Sequence, residues 1–354
     1  MLGMNFSSFW DIFAIPFGYV MQGFNYICGR HYILALLFFS LAVKLITLPV
    51  SIKQQKSQIK GAMLRPKIML IEKKYAGRRD QKTLQKKQQE IMELQQKEGY
   101  SPLAGCLPML LQLPVIIGLY RIIRMPLKYV MNMTDDLIVR LYNTLNPSAV
   151  VEKLDKLPTY AQIDMIGQIK ENPSILENLE GFEGTAGDFI SRLPNFNLFG
   201  LNMGVEPTFS PVKNGLAPIY WLLILIPILS GALNYFTMWI SRKLNDNGLN
   251  DTMNPQQKSS MNTMTLMMPL MSVWIAFIVP AAVGIYWIYS SILGVIQTII
   301  LSKVMPLPRY TDEEIRAMQR EIKAGRGERS VTSSSVDSEG RPRSLHYADD
   351  DDEY

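Results

Sequence analysis

From Met264 to Leu301 the chain runs 38 residues without one charged side chain, between Lys258 on one side and Lys303 and Arg309 on the other. Such a run fits a hydrocarbon core of about 30 Å, which one apolar helix of about 20 residues crosses. Lys and Arg hold flanking loops on the cytoplasmic side, so both ends are expected there and the run must contain an even number of spans. Two fit, turning near Pro280 to Gly284 (PAAVG). Each is then short for a span, which favours local thinning of the bilayer or recruitment of polar neighbours.

The rest of the chain is less extreme. With 354 residues, 48% of them hydrophobic, and a mean hydropathy of +0.06, it reads as membrane spans joined to soluble pieces. Two cysteines cannot build a disulfide framework, and two histidines far apart, His31 and His346, make no metal site. GxxxxGK[ST], GxSxG and HExxH are all missing, so neither an ATP-driven pump nor a recognisable hydrolase is expected. No enzyme activity, catalytic residue, cofactor or metal is predicted. Asp11 is the first charge and Arg30 the next, which does not suggest a cleavable signal.

Charge sets the topology. Lys53 to Lys97 holds thirteen Lys/Arg and far fewer acids, whereas Met125 to Ala217 has seven Lys/Arg against eleven acids. The first is expected in the cytoplasm and the second outside, although Arg121, Arg124 and Lys128 run against that trend. The fold class is therefore an all-α membrane protein: a five-span helical bundle core with a cytoplasmic helical hairpin and an extracytoplasmic interfacial N-terminal helix. The divisions are 1–30 for the N-terminal helix, 31–51 for the first span, 52–100 for the hairpin and 101–124 for the second span. An extracytoplasmic segment, 125–217, precedes the third span at 218–240, a cytoplasmic loop at 241–262, and spans four and five at 263–280 and 281–302. The tail, 303–354, is cytoplasmic and disordered after about 325; TDEE (Thr311 to Glu314) opens a capped helix that Gly325 stops. Nine Lys/Arg against twelve acids do not make this tail an arm for RNA, and no nucleic acid is predicted to bind directly.

Inside the spans one cation stands out. Lys44 lies in HYILALLFFSLAVKLITLPV (His31 to Val50), nine positions before the next charge, Lys53. That is about 13 Å along a helix, farther than a lysine stem reaches by snorkelling. A lysine at a span end that the bilayer deforms to meet is the plain reading; a charge facing a hydrated cavity is the functional one. Ser40 is one turn away on the same face. Gln112 in the second span, Ser230 and Asn234 in the third, and Tyr286, Tyr289, Ser290 and Gln297 in the fifth add polar atoms. Singly, each is explained by a bond between helices; together with Lys44 they line a hydrated groove. No Asp or Glu occurs in the five spans, so a carboxylate proton relay is not expected. Met264, Met267, Met268 and Met271 share a helix face, which serves as a lipid or packing surface and also suits varied apolar partners.

Three blocks resemble a known family: LAVKLITLPVSIKQQKS (Leu41 to Ser57), SPLAGCLPMLLQLPVIIGLY (Ser101 to Tyr120) and MMPLMSVWIAFIVPAAVGIYWIYSSILGVIQ (Met267 to Gln297). In order and separation they resemble the YidC membrane protein insertases of bacteria and their organelle relatives, over about Phe13 to Pro306. The resemblance implies an insertase and chaperone that inserts client transmembrane segments, and moves their short hydrophilic tails through a cytoplasm-open groove, without ATP. An arginine sits in that groove in the family, and Lys44 matches its position, keeping the charge but not the bidentate fork. Ser40 matches a groove hydroxyl, and Tyr286 or Trp287 the aromatic positions that meet substrate; with Gln112, Asn234 and Gln297 these form the expected client-binding groove. Ser101 replaces the usual asparagine, the 125–217 segment is longer than in Gram-positive-like members, and the acidic tail end departs from basic ribosome-binding tails. Expected partners are nascent membrane proteins and the lipid bilayer of a bacterial plasma membrane, with the ribosome and the Sec translocon as further candidates. An anion-binding secondary transporter or channel is the rival class, disfavoured by the lack of evident internal repeats. A non-catalytic assembly scaffold beside the Sec translocon is a third. Cys28 is expected outside and Cys106 near the inner surface, unbridged.

Overall fold

The computed structural model describes residues 11–77, 80–100, 107–244, 255–308 and 310–324. Met1 to Trp10, the arginines of AGRRD, Ser101, Cys106, much of the loop after the third expected span, and the tail from Gly325, DDDDE included, lie outside them. The chain is mostly helical and divides into two compact units. Three helical stretches are long and apolar enough to cross a membrane: Tyr32–Lys74, Pro218–Leu244 and Ala281–Val304.

The first unit comprises Met1–Ile46, Met109–Thr237 and Leu266–Gly294. It opens with α1 (Asp11–Ile27), whose first residue is completely buried and pairs with Arg121 at 3.1 Å. Next, α2 (Tyr32–Lys74) is one helix of 43 residues through Pro49 and Pro66. The expected division at residue 51 is thus a change of side-chain chemistry along an unbroken helix. Ser51 to Lys60 (SIKQQKSQIK) contains no Gly or Pro stop signal, so each added residue extends existing hydrogen bonding at no new nucleation cost.

In the second unit, Thr47–Pro108, Met238–Thr265 and Val295–Tyr354, the chain turns at Tyr75–Gly77 and enters α3 (Gln81–Lys97). Asp80 caps α3 by accepting from Thr83 N at 2.9 Å. Leu64, Ile68 and Ile91 form a small apolar seam between the arms. Lys74–Glu90 at 2.8 Å, a solvated pair of modest strength, and the half-buried Lys87–Glu72 at 3.3 Å flank it. The hairpin expected from the helix formers either side of AGRRD is therefore present.

After α4 (Leu107–Arg124) the chain returns to the first unit through a run of short elements: α5 (Pro126–Tyr129), α6 (Asp135–Leu145), α7 (Ala161–Glu171), α8 (Ser174–Glu177) and α9 (Ala186–Arg192). Thr134 caps α6, with Asp135 and Asp136 favourably placed in its first turn. Ile138 and Leu141 of α6, Met165, Ile166 and Ile169 of α7, and Leu176 and Phe189 are buried in a shared core. Gln162 Oε1 accepts from Leu127 N at 3.0 Å and ties α7 to α5. The segment, to which the sequence assigns only a charge balance and a side of the membrane, is a packed helical subdomain.

It also accounts for three cations that ran against the charge rule. Arg121 pairs with Asp11, Arg124 Nε donates to Thr159 O at 2.7 Å, and Lys128 meets Asp135 at 2.9 Å. A minimal antiparallel ladder follows, β1 (Asn197–Leu198) with β2 (Leu201–Asn202), the one β-sheet among the described residues.

A short 3₁₀ stretch, Pro218–Ile224, leads into α10 (Leu225–Leu244). Then α11 (Pro255–Phe277) and α12 (Ala281–Val304) divide the long uncharged run, breaking at Ile278–Pro280 where the turn was expected. A Cβ at Gly231 of α10 would stand 2.1 Å from Val273 Cγ2 of α11, so this crossing tolerates only glycine. Backbone from the preceding subdomain serves the helix starts: Asn195 O accepts from Tyr32 N at 3.2 Å, Val205 O from Ala281 N at 2.9 Å, and Met203 O from Ala282 N at 2.8 Å.

The last helix, α13 (Asp312–Lys323), belongs to the second unit and begins with the full capping box expected of TDEE, Thr311 and Glu314 each serving the other's backbone. Its buried Ile315 and Gln319 mark the docked face. Gln319 accepts from Lys73 Nζ at 2.7 Å and donates to Pro66 O at 3.4 Å, which seats α13 on α2.

Candidate functional site

Lys44 is where α2, α10 and α12 converge within the first unit. A Cβ added to Gly294 of α12 would lie 3.4 Å from Lys44 Nζ and 3.7 Å from Thr237 Cγ2 of α10. A side chain at Gly294 would therefore stand in direct contact with the ammonium group. One turn earlier on α12, buried Ser291 donates to Asn234 Oδ1 of α10 at 2.9 Å. Thr237 Oγ1 lies 2.7 Å from Leu233 O and 3.3 Å from Ser291 O, facing both acceptors. Next to Gly294, the apolar helices α10 and α12 thus share a set of hydroxyl, amide and carbonyl dipoles. In a medium of low dielectric constant such dipoles count for far more than in water.

A second polar contact lies nearer the start of α12. Gln112 Nε2 of α4 donates to the hydroxyl of Tyr286 at 2.9 Å, and the fully buried Tyr286 ring packs 6.2 Å from that of Phe39. Trp287 is buried beside it in the chain. Ser40, next to Phe39, is buried and donates back to Leu36 O at 2.7 Å, a bond within its own helix.

The expected residues therefore divide. Asn234 bonds to Ser291, one turn from the Gly294 that Lys44 approaches; Gln112 and Tyr286 form a separate pair. Ser40 stays on the Lys44 face of α2 with its hydroxyl engaged locally, and Ser230, expected with Asn234, likewise turns back to Pro227 O at 2.9 Å. Gln297 is in the second unit, where its buried Nε2 makes no hydrogen bond among the described residues. Of the methionine face, Met267 and Met271 are exposed together with Leu270 and Trp274; the side chains of Met264 and Met268 lie outside the described residues.

Sequence reasoning missed Ser291, Thr237 and Gly294. A signal existed for two of them: Asn234 and Thr237 are three residues apart on one helix, as are Ser291 and Gly294, so each pair shares a face.

Comparison with known proteins gives this arrangement a setting. The family model described as 60Kd inner membrane protein matches residues 23–308. The membrane protein insertase YidC of Oceanobacillus iheyensis is 27% identical over 302 residues, covering 85% of this chain and 86% of its own length. A membrane protein insertase YidC 2 of Listeria innocua is 31% identical over 172 residues, 48% of this chain and 58% of the relative. The membrane protein insertase MisCA of Bacillus subtilis is 39% identical over 116 residues, 32% of this chain and 44% of the relative. With most of its length matched, the chain belongs to the 60-kDa inner membrane protein family, to which the YidC insertases it resembles belong.

Proposed function

We propose that this protein is a membrane protein insertase and folding chaperone of a bacterial plasma membrane, and that Lys44 is the charge its clients meet. One observation carries the reading of the site: the Lys44 ammonium group lies against Gly294 of an apolar helix, one turn from the hydrogen-bonded Asn234, Thr237 and Ser291. An ionisable side chain at membrane depth serves a path or a ligand far more often than it serves stability. Family membership and the insertase relatives support the same activity.

The mechanism follows from the residues. A short hydrophilic client tail enters a groove open to the cytoplasm, where Lys44 attracts its acidic or polar groups. Gln112, Tyr286 and Trp287 offer hydrogen bonds and aromatic surface higher in the groove, Ser40 lines the Lys44 face of α2, and Gln297 continues the α12 row three residues beyond Gly294. The client's apolar segment meanwhile leaves along exposed Met267, Met271 and Trp274 and partitions into lipid. Burial of apolar area contributes about 25 cal/mol per Å², which offsets the cost of drawing a short polar tail across without ATP. Five spans serve this reading, α4 and α11 joining the three long apolar stretches, with the N-terminal side and the 125–217 segment outside, and the hairpin and tail in the cytoplasm. The hairpin is then placed to receive clients from the ribosome or the Sec translocon.

Insertion of a single-span client with an acidic tail, assayed in proteoliposomes, tests the site. Lys44→Ala should lose about tenfold in insertion rate, equivalent to about 1.4 kcal/mol, and Lys44→Arg should retain most of it. Full activity in the alanine variant would remove the electrostatic role.

A further inference from the structure

The ladder of β1 and β2 ends in a two-residue turn, Phe199–Gly200, with φ of +52° and +80°. Positive φ at both central positions is the turn that best matches strand twist, and it favours Asn-Gly or Gly-Gly. Phenylalanine is a poor choice there, since a bulky side chain in the left-handed region is strained. Packing does not account for it: Phe199 is 90% exposed, more than any other large apolar residue described. A strained, fully projecting aromatic ring needs an environment that water does not provide.

The surrounding contacts place the turn close to helix ends. Asn202 N donates to the Tyr220 hydroxyl at 3.2 Å, and Tyr220 is the third residue of the apolar stretch Pro218–Leu244. Met203 O accepts from Ala282 N at 2.8 Å, at the start of Ala281–Val304. Phe209, 62% exposed, stacks on Phe277, the last residue of α11, with ring centroids 5.0 Å apart. The hairpin is thus pinned to the starts of two apolar stretches, and the chain that follows it, through Phe209, to the end of α11. Phe199 stands three residues from Asn202, at most about 10 Å along extended chain. That distance is comparable to the interfacial layer flanking the hydrocarbon core, where Trp and Tyr girdle membrane proteins. Trp221, half exposed beside Tyr220, joins the same band.

We infer that the Phe199–Gly200 turn is a membrane-dipping loop: Phe199, with Phe209 and Trp221 behind it, inserts into the headgroup and upper acyl region of the lipid leaflet facing the 125–217 segment, holding that subdomain flat on the bilayer. The outer identity of that leaflet rests on the topology proposed above; the lipid contact does not.

The test uses the full chain, freed of its two cysteines, in phosphatidylethanolamine–phosphatidylglycerol proteoliposomes. An environment-sensitive fluorophore is placed at Phe199→Cys and, as control, at Glu180→Cys, whose parent side chain is 94% exposed. At 199 the emission should shift to the blue, and lipids spin-labelled near the headgroup should quench it several-fold more than aqueous iodide does; at 180 the order should reverse. Iodide quenching at 199 equal to that at 180 overturns the proposal. So does a blue shift that grows with protein-to-lipid ratio or arises only on adding client, which would assign the ring to a second copy or to a client. Phe199→Asn should melt no lower than the parent, because asparagine suits the turn; a clear drop in melting temperature would show that the ring packs within the fold, and would also overturn it. Accessibility of both labels only from the cytoplasmic side would refute the topology while leaving the lipid contact to the quenching result.

Discussion

Two charges lie deep in the first unit and are treated differently. Asp11 is wholly buried, takes an ion pair from Arg121 at 3.1 Å, and accepts from the Tyr129 hydroxyl at 2.6 Å, a contact that Arg121 Nε completes by donating to the same hydroxyl at 3.1 Å. Lys44 stands instead beside Gly294, where the nearest described polar groups of α10 and α12, Asn234, Thr237 and Ser291, are neutral. The first arrangement is closed, with every member satisfied by another member of the same set. It pins α1 to α4 and α5 and offers a ligand nothing. The second lies next to neutral hydroxyl and amide groups on α10 and α12, which remain able to turn toward a new group. Burial alone therefore does not mark a functional charge; the kind of group that answers it does.

The comparison is open to breakage at its strongest point first. Arg121→Ala should destabilise the attachment of α1 by about 3 kcal/mol, because it strands a buried carboxylate, and Asp11→Asn in the same chain should recover much of the loss. Limited proteolysis between α1 and α2 and thermal melting in detergent would read this; equal melting of the parent and Arg121→Ala would end the view of that trio as a lock. Lys44→Ala is the opposite case, with insertion falling about tenfold as stated above and the melting temperature staying within about 1 °C. Gly294→Val fills the space at Lys44 Nζ and should reduce insertion by a few-fold, about 1 kcal/mol, with the ammonium still present. An unaltered rate would mean that the space beside Gly294 is incidental.

The smallest effect is a titration. Burial first, and the Asp11 carboxylate second, hold the Tyr129 phenol above its ordinary range. The unfolded phenol ionises near pH 10 while the folded one does not, so the stability it contributes is lost as pH rises from that value. Tyr129→Phe should cost about 1 kcal/mol at neutral pH and make the alkaline loss shallower. It should also remove one late-titrating phenol from the phenolate absorbance curve.

Much of this architecture was legible in the residues. The hairpin followed from helix formers either side of AGRRD, the last helix from TDEE, and the break near Pro280 from the length of an uncharged run. The polar cluster was only half legible. When lipid and protein interior are both apolar, hydrophobic periodicity no longer tells which face of a span is inward. Asn234 was identified because it is polar, but the residue noted with it on its face was Ser230, while its bonded partner Ser291 was passed over for its neighbour Ser290. Gly294 matters through what it lacks, and composition does not register an absence. The 125–217 subdomain was harder still, because its short helices depend on tertiary contacts such as Gln162 with the backbone of Leu127. Seating of Gln319 between Lys73 and Pro66 likewise joins residues some 250 positions apart, beyond any local pattern.

One modest contact bears on the run that opened the sequence. A helix entering lipid ordinarily needs water, or a side-chain cap, for its first N–H groups. Here Val205 and Met203 carbonyls receive those of Ala281 and Ala282, and Pro280 O receives that of Val283 at 2.9 Å. The reversal between α11 and α12 therefore satisfies its first N–H groups from within the fold, without a side-chain cap.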